Sequence, residues 1–244
     1  MRTNGRARRA HLPVALLAVG ALALTACSGD GDGESVDDEV TTTAPTPQDR
    51  LAQAHEALAG AGSVHLVLEG VDLPDSAIIL KAEGSGTMEP PAFEGTITAK
   101  VGGVQADVPT VAVDDTLYVK LPFAPGFINT APEDLGVPDP AKLFAIEDGL
   151  AALLTKTESP AFGEQTRVGS EITQQITGTL PGDDVADLLF VGDRTQDFTV
   201  EYGLLEESWQ VRTVTITGPF YPPDTATYKV TLDKYGEPVT ITAP

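Results

Sequence analysis

The chain has 244 residues and a formal net charge of −21 at pH 7, with 36 acidic and 15 basic residues. All the acidic residues follow Cys27, whereas four of the basic ones precede it, so the chain from Cys27 onward carries a formal charge of −25. Such a charge is repelled by phosphate backbones and anionic headgroups, which excludes nucleic acid as a partner and argues against adsorption through a basic patch. The single cysteine excludes an internal disulfide and a thiolate metal cluster, so the core must supply the stability.

The N-terminus has the order of a secretory signal peptide, since four arginines precede an apolar run at residues 12–24. This run is shorter than the ~20 residues of a transmembrane helix, and no later segment is apolar enough to span a membrane. The residues Leu24-Thr25-Ala26-Cys27 resemble a bacterial lipobox, in which the cysteine thiolate takes a diacylglyceryl group.

We therefore predict a signal peptide at residues 1–26 and a lipid anchor at Cys27 on the outer face of the plasma membrane. A lipobox modification supplies more than one acyl chain, and more than one chain is needed for stable anchoring. The alternative is an ordinary secreted protein with a free cysteine near its new terminus, although secreted proteins rarely keep an unpaired thiol.

Residues 27–47 are predicted to be the lipidated cysteine and a disordered acidic linker, because the segment lacks aromatic residues and is rich in Gly, Asp, Thr and Pro. Its five acidic residues between positions 30 and 38 could suggest a calcium loop, but the EF-hand spacing is missing, and a self-repelling spacer explains them better. Residues 48–244 are long enough for one domain with a sizeable core.

The domain begins with a predicted helix from Asp49, with an apolar stripe of Leu51, Ala54, Leu58 and Ala61 and an end at Gly60 to Gly62. Alternating apolar and polar residues then predict strands, with turns at Gly102-Gly103 and Asp114-Asp115. The predicted strands are 63–69, 78–83, 93–101, 104–113, 117–119, 166–168, 172–180, 198–202, 209–216, 228–232 and 239–241. Further helices are predicted at 139–144, 149–154 and 183–190.

This order predicts a long antiparallel sheet whose few helices all cover one apolar face. Several inward positions are small, and a curved sheet lined by small residues can enclose a cavity. The alternative is a filled core with glycines at bulges. The small positions are Gly84, Gly86, Gly95, Ala99 and Gly178.

Several stretches, in this order and spacing, resemble the LppX/LprA/LprF/LprG lipoproteins of mycobacteria and related actinobacteria. They are SVHLVL (63–68), GTITAKVGG (95–103), DDTLY (114–118), DPAKL (139–143) with GL (149–150), and LDKYGEPV (232–239). The resemblance implies an α+β fold in which a curved antiparallel half-barrel sheet has its helices packed on the concave face. It also implies an apolar cavity for acyl chains of glycolipids or triacylglycerol, which are carried across the cell envelope, in some members beside a major-facilitator-type exporter.

By position, Ile97 matches a cavity-lining residue of that family, in agreement with its inward parity in the strand. The residues predicted to line the cavity are Val64, Leu66, Leu68, Ile78, Leu80, Phe93, Ile97, Ala99, Val101, Leu117, Val119, Leu143, Leu150, Leu153 and Leu154.

Catalytic chemistry is not predicted, because His55 and His65 lack a partner motif and no G-x-S-x-G elbow, phosphate loop or histidine metal pair occurs. We expect no catalytic residue, no metal and no cofactor. The leading hypothesis is a membrane-anchored carrier of lipid or glycolipid. The alternative is an anchored protein-interaction module that recruits a transporter or envelope protein without binding lipid.

Overall fold

Within residues 44–135 and 137–244, which are those that this computed structural model describes, eleven strands form a single antiparallel sheet. The predicted signal peptide, Cys27 and most of the predicted linker lie outside these residues. The strands are β1 (Ser63–Val71), β2 (Ile79–Met88), β3 (Pro91–Val101), β4 (Val104–Val113), β5 (Thr116–Val119), β6 (Ile128–Thr130), β7 (Glu158–Val168), β8 (Glu171–Leu180), β9 (Phe198–Leu205), β10 (Val211–Tyr221) and β11 (Asp224–Asp233).

The order of strands across the sheet is β6-β5-β4-β3-β2-β1-β11-β10-β9-β8-β7. Neighbouring strands are therefore consecutive in the sequence except at the centre, where β1 pairs with β11 and His65 lies opposite Asp233. The sheet is curved and open, with β6 and β7 at its two edges. This confirms the predicted α+β half-barrel with helices on its concave face.

The helices are α1 (Pro47–Ala59), α2 (Pro132–Leu135), a 3₁₀ helix (Pro140–Phe144), α3 (Leu150–Lys156) and α4 (Gly182–Leu189). A capping box starts α1, because the Asp49 amide donates to the Thr46 hydroxyl at 3.2 Å and the Thr46 amide donates to the Asp49 carboxylate at 2.8 Å. In the 3₁₀ helix, Asp139 accepts a hydrogen bond from the Ala141 amide at 2.9 Å. These caps satisfy amides that a helix start leaves without a backbone partner.

The core lies between the concave face of the sheet and the helices. From α1, Leu51, Ala54 and Leu58 are buried, as the helical stripe predicts. Every residue of α3 from Leu150 to Leu154 is buried, which places this helix at the centre of the packing. Burial of these apolar side chains from both sides is the main stabilising contribution to the fold.

Aromatic rings fill the space beside several inward glycines. A β-carbon at Gly84 or Gly95 would come within 2.7 Å of the ring of Phe93, and one at Gly178 within 2.4 Å of Thr157. The expectation that these glycines open a cavity is wrong at these positions, because neighbouring side chains occupy the volume that the absent side chains leave.

Two predicted strands differ most from those observed. The strand predicted at 166–168 is longer in the structure, where β7 begins at Glu158. The prediction missed its first part because β7 is an exposed edge strand with two register shifts and shows no apolar alternation. The strand predicted at 239–241 is absent. That part of the chain follows a turn fixed by the Ser63 hydroxyl, which donates to the Glu237 carbonyl at 2.6 Å.

Candidate functional site

An apolar pocket of about 360 Å³ lies against the inner face of the first half of the sheet. Its walls come from β2, β3, β4 and β5, and residues 137–140, which lead into the 3₁₀ helix, cover part of it. Specific ligand pockets in proteins span about 300–1,000 Å³. An apolar cavity of about 150 Å³ is already large enough to hold benzene.

Cross-strand neighbours build the walls of this pocket. Ile97 of β3 lies opposite Val108 of β4, and Val119 of β5 lies opposite Thr110 of β4. Because directly opposite residues of an antiparallel pair share one face of the sheet, each of these pairs presents both side chains to the pocket. The strand alternation thus produces a continuous apolar surface across β3, β4 and β5.

Two polar side chains line the same pocket without making it polar. The Thr110 hydroxyl donates to the Val108 carbonyl at 2.9 Å, so its hydrogen-bonding capacity is used within its own strand. The Lys100 ammonium donates to the Asp75 carbonyl at 2.6 Å and lies 3.8 Å from the Asp75 carboxylate. Long basic side chains commonly bury their hydrocarbon stem while the charge is held elsewhere, and Lys100 follows this pattern.

A smaller apolar pocket of about 100 Å³ adjoins the first, and the two share Ile78, Ile79, Val137 and Pro138 as lining residues. Its far wall carries Tyr221 and Tyr228, whose hydroxyls lie 2.6 Å apart. The Tyr228 hydroxyl also donates to the Ile79 carbonyl at 3.1 Å, which ties β11 to the start of β2. Burial, reinforced by Tyr221, raises the pKa of the Tyr228 phenol well above its ordinary value, which favours its neutral form.

A register shift at the start of β2 changes which side chains face the pockets. Simple alternation places Ile78 and Leu80 inward and Ile79 outward, but Ile79 pairs with Ala99 and lines both pockets. The shift between Ile79 and Lys81 leaves Leu80 half-buried at the irregularity. The irregularity breaks the simple alternation, so the consecutive residues Ile78 and Ile79 both line the pockets, and sequence alternation cannot anticipate that.

The predicted lining residues fall into separate groups. Those that line the larger pocket are Ile78, Ile97, Ala99, Val101, Leu117 and Val119. Leu68 lines the smaller pocket. The others, Leu80 apart, pack in the core with the helices, and they are Val64, Leu66, Phe93, Leu143, Leu150, Leu153 and Leu154. The sequence therefore identified inward-facing positions, but it could not separate the part of the sheet that the helices cover from the part beside the pocket.

Several lining residues were missed. Val108 is on the inward face of a predicted strand, so the alternation could have identified it. Val137 and Pro138 come from a proline-rich connection without any periodicity, Pro140 lies in the predicted helix at 139–144 rather than in the sheet, and Tyr221 lies beyond the predicted end of its strand. Only the three-dimensional path of the chain places these four residues at the pockets.

His65 lies on β1 at the centre of the sheet and is not among the residues that line the two pockets. Its Nδ1 atom is 2.8 Å from the Asp233 carboxylate, across the β1–β11 pair. Within the described ranges, no group of three or more His, Cys, Asp or Glu side chains is arranged to hold a metal ion. Among the helices that the structure describes, none is long and apolar enough to cross a bilayer.

An open half-barrel with helices on its concave face and an apolar pocket beside them defines a class of proteins in which a curved antiparallel sheet carries an apolar site on its inner face. Within that class, the chain belongs to the LppX_LprAFG lipoprotein family, whose sequence profile matches residues 46–241.

Comparison with known proteins finds relatives whose sequences align with most of this chain. It is 29% identical to the lipoarabinomannan carrier protein LprG of Mycolicibacterium hassiacum over 235 residues, which cover 94% of this chain and 97% of that protein. Lipoprotein LprA of Mycobacterium tuberculosis is 28% identical over 176 residues, 71% of each chain.

Solved structures share the fold. LprF from Mycobacterium bovis superimposes with a TM-score of 0.69 and 17% identity, covering 81% of this chain and 96% of that one. LppX from Mycobacterium tuberculosis superimposes with a TM-score of 0.61 and 19% identity, covering 80% of this chain and 98% of that one.

Proposed function

We propose that this protein is a membrane-anchored lipid carrier that holds acyl chains of a glycolipid or triacylglycerol in the larger apolar pocket and carries them across the cell envelope. The observation that supports this most directly is the pocket itself, with inward side chains of four strands that are almost all apolar. The carrier name of the relative LprG points to the same class of function.

The size and polarity of the site favour a hydrocarbon ligand. A volume of about 360 Å³ lies within the range of ligand pockets, and the adjoining pocket past Ile79 extends the apolar path toward Tyr228. Since both polar side chains in the larger pocket are already bonded within the protein, a polar ligand would gain few new hydrogen bonds there.

The energetics suit a carrier. Burying acyl carbons from water yields ~0.8 kcal/mol per methylene, whereas moving them from a bilayer to an apolar pocket exchanges two similar media. The net free energy of transfer is then small, which allows the lipid to be both taken up and released. No catalytic step, metal or cofactor is needed, and we propose that the protein is not an enzyme.

The anchor and partners belong to the same proposal. Acylation of Cys27 would hold the domain on the outer face of the plasma membrane, next to the bilayer from which lipid is taken. A major-facilitator-type exporter is the protein partner that the family resemblance suggests.

Native mass spectrometry of the protein purified without its acyl anchor from an actinobacterial host tests this function. We expect a mass shift that corresponds to bound lipid, which extraction with organic solvent removes. Protein that is consistently free of lipid from such a host would favour the alternative, an anchored interaction module.

A further inference from the structure

We infer that the protein docks onto a lipid bilayer through an apolar rim around the two pockets. The inference rests on the proposed carrier function and adds the surface through which lipid is exchanged. The rim is formed by exposed large hydrophobic side chains, namely Ile78, Val104, Phe123, Phe127, Ile128 and Phe190. Of the described large hydrophobic side chains that are exposed, the two outside this set are Phe162 and Ile172 on β7 and β8.

The sheet register places two members of the rim on the face that holds the larger pocket. Val104 lies opposite Val101, and Ile128 lies opposite Val119, and both of these partners line the pocket. Directly opposite residues of antiparallel strands share a face, so Val104 and Ile128 extend the apolar lining outward. Ile78 and Phe190 themselves line one or both pockets.

Phe123 is the most exposed member and has an unusual backbone. Its side chain is fully exposed, and its φ of 68° lies in the left-handed region that a bulky residue rarely adopts. It follows Leu121, which lines the larger pocket, in a turn where the Ala124 amide donates to the Leu121 carbonyl at 3.1 Å. An aromatic ring held in solvent at the expense of backbone strain indicates a functional contact for that ring.

The chemistry of the surrounding loop favours hydrocarbon as the partner. Residues 121–132 contain no charged side chain, although the chain from Cys27 onward has 36 acidic residues. Several exposed large apolar side chains beside one apolar pocket mark an interaction site. A bilayer matches it without needing complementary charge, and it is also the source of the proposed ligand, which would enter beside the rim.

The distance from the proposed anchor permits this contact. The chain between Cys27 and Thr46 comprises 19 peptide steps and can span at most about 65 Å when fully extended. An acylated Cys27 would therefore keep Thr46, at the start of the domain, within that distance of the membrane, which raises the effective concentration of the bilayer around the domain.

A single-tryptophan reporter tests the contact directly. The background protein is the chain from residue 27 onward with Cys27→Ser and Trp209→Phe. The reporter variant adds Phe123→Trp. The matched control adds Phe162→Trp instead, on the opposite edge of the sheet. We expect brominated phosphatidylcholine vesicles to quench the tryptophan at position 123 and to leave the one at position 162 unchanged. Equal quenching at both positions, or none at position 123, would contradict the inference.

A second experiment separates docking from ligand binding. Phe123→Asn should fold normally, because Asn adopts a positive φ more readily than Phe, and Phe162→Asn serves as its control. Loss of one inserted aromatic ring should weaken vesicle binding about tenfold and slow lipid uptake from vesicles. Uptake of the same lipid from a detergent-dispersed solution should be unchanged.

The outcomes distinguish the two proposals. Lipid uptake without any vesicle contact at position 123 overturns the docking inference and leaves the carrier function standing. Vesicle contact without lipid uptake from either source overturns the carrier function alone. The protein could instead form a dimer that Phe123→Asn dissociates, with no quenching by bromolipid. That result would assign the rim to contact with a second copy of this chain and overturn the membrane assignment.

Discussion

The ring of Phe144 lies directly on the backbone of Gly86, where an added β-carbon would come within 2.4 Å of three ring carbons. Phe144 ends the 3₁₀ helix, and its ring also stacks with that of Phe93 at a centroid distance of 6.0 Å. The contact fixes the 3₁₀ helix on β2 and β3, and with it the segment at 137–140 that covers part of the larger pocket. A glycine in the middle of a strand thus positions part of the pocket from a distance.

Gly86→Ala should lower the free energy of unfolding by about 2 kcal/mol or more, because the methyl group must displace either the ring or a central strand. Gly126→Ala is the matched control, since its added carbon meets open space and should change stability by less than about 0.5 kcal/mol. Chemical denaturation measures both values. Equal stability of the two variants would show that the contact with Phe144 is easily relieved.

Ile97→Trp should abolish lipid binding while the fold is kept, because the larger side chain would fill the pocket that Ile97 lines. Thr96→Trp adds the same side chain on the opposite face of β3 and should retain lipid. The measurements are bound lipid by native mass spectrometry and unfolding by circular dichroism, with a loss of stability below about 3 kcal/mol expected for Ile97→Trp. Retention of lipid by a folded Ile97→Trp variant would exclude this pocket as the binding site.

Tyr228→Phe should lower the free energy of unfolding by about 1–3 kcal/mol, because it leaves the Ile79 carbonyl and the Tyr221 hydroxyl without their shared partner. In a domain of this size each kcal/mol corresponds to a shift of roughly 2–4 °C in Tm. Thermal unfolding measures the change, with Tyr118→Phe on the outer side of β5 as the control. A change no larger than that of the control would mean that this hydrogen-bonded pair contributes nothing to stability.

Stability should fall once the pH rises above about 10, because burial raises the pKa of the phenols of Tyr202, Tyr228 and Tyr235 in the folded state. A group whose pKa is raised in the folded state contributes its full stabilising free energy below its unfolded-state pKa, which is near 10 for tyrosine. This stabilisation is lost as the pH rises above the unfolded-state pKa. Tyrosinate absorbance and circular dichroism, followed together, should show these three phenols ionising only as the chain unfolds. Their reversible ionisation in protein with native circular dichroism would contradict the burial.

Cys27→Ala should release the protein from the membrane, since the acyl chains are the proposed anchor and the acidic domain gains no attraction from anionic lipid headgroups. Ser28→Ala should leave the protein membrane-bound. Cell fractionation followed by immunoblotting measures the distribution. An unchanged membrane fraction for Cys27→Ala would disprove acylation as the main attachment.

The sequence predicted the strands whose faces differ in environment. In β3 and β4 apolar residues alternate with polar ones, and one face of each strand lines the larger pocket, so these strands and the Gly102-Gly103 turn between them were correctly placed. In β7 most residues on both faces are exposed, and no hydrophobic pattern marks it. Pattern-based prediction succeeds where burial is one-sided and fails where both faces share one environment.

The pocket was predictable only in part for a related reason. The parity of Ile97 and Val119 follows from local alternation, whereas the facing of Ile79 depends on a register shift against β3. The roof at Val137 and Pro138 depends on where a connection without periodicity returns over the sheet. These features come from tertiary packing, which single-sequence periodicity does not encode.

The strand order also has a consequence for how the chain folds. Every neighbouring pair except β1–β11 joins consecutive strands, so two meanders, β1 to β6 and β7 to β11, can assemble from contacts between nearby segments. The two meanders join only when β1 pairs with β11, which brings together residues such as His65 and Asp233, 168 positions apart in the sequence. During synthesis from the N-terminus, the edge of β1 stays without its partner until the last of the strands has emerged, which makes the central seam the late step of folding.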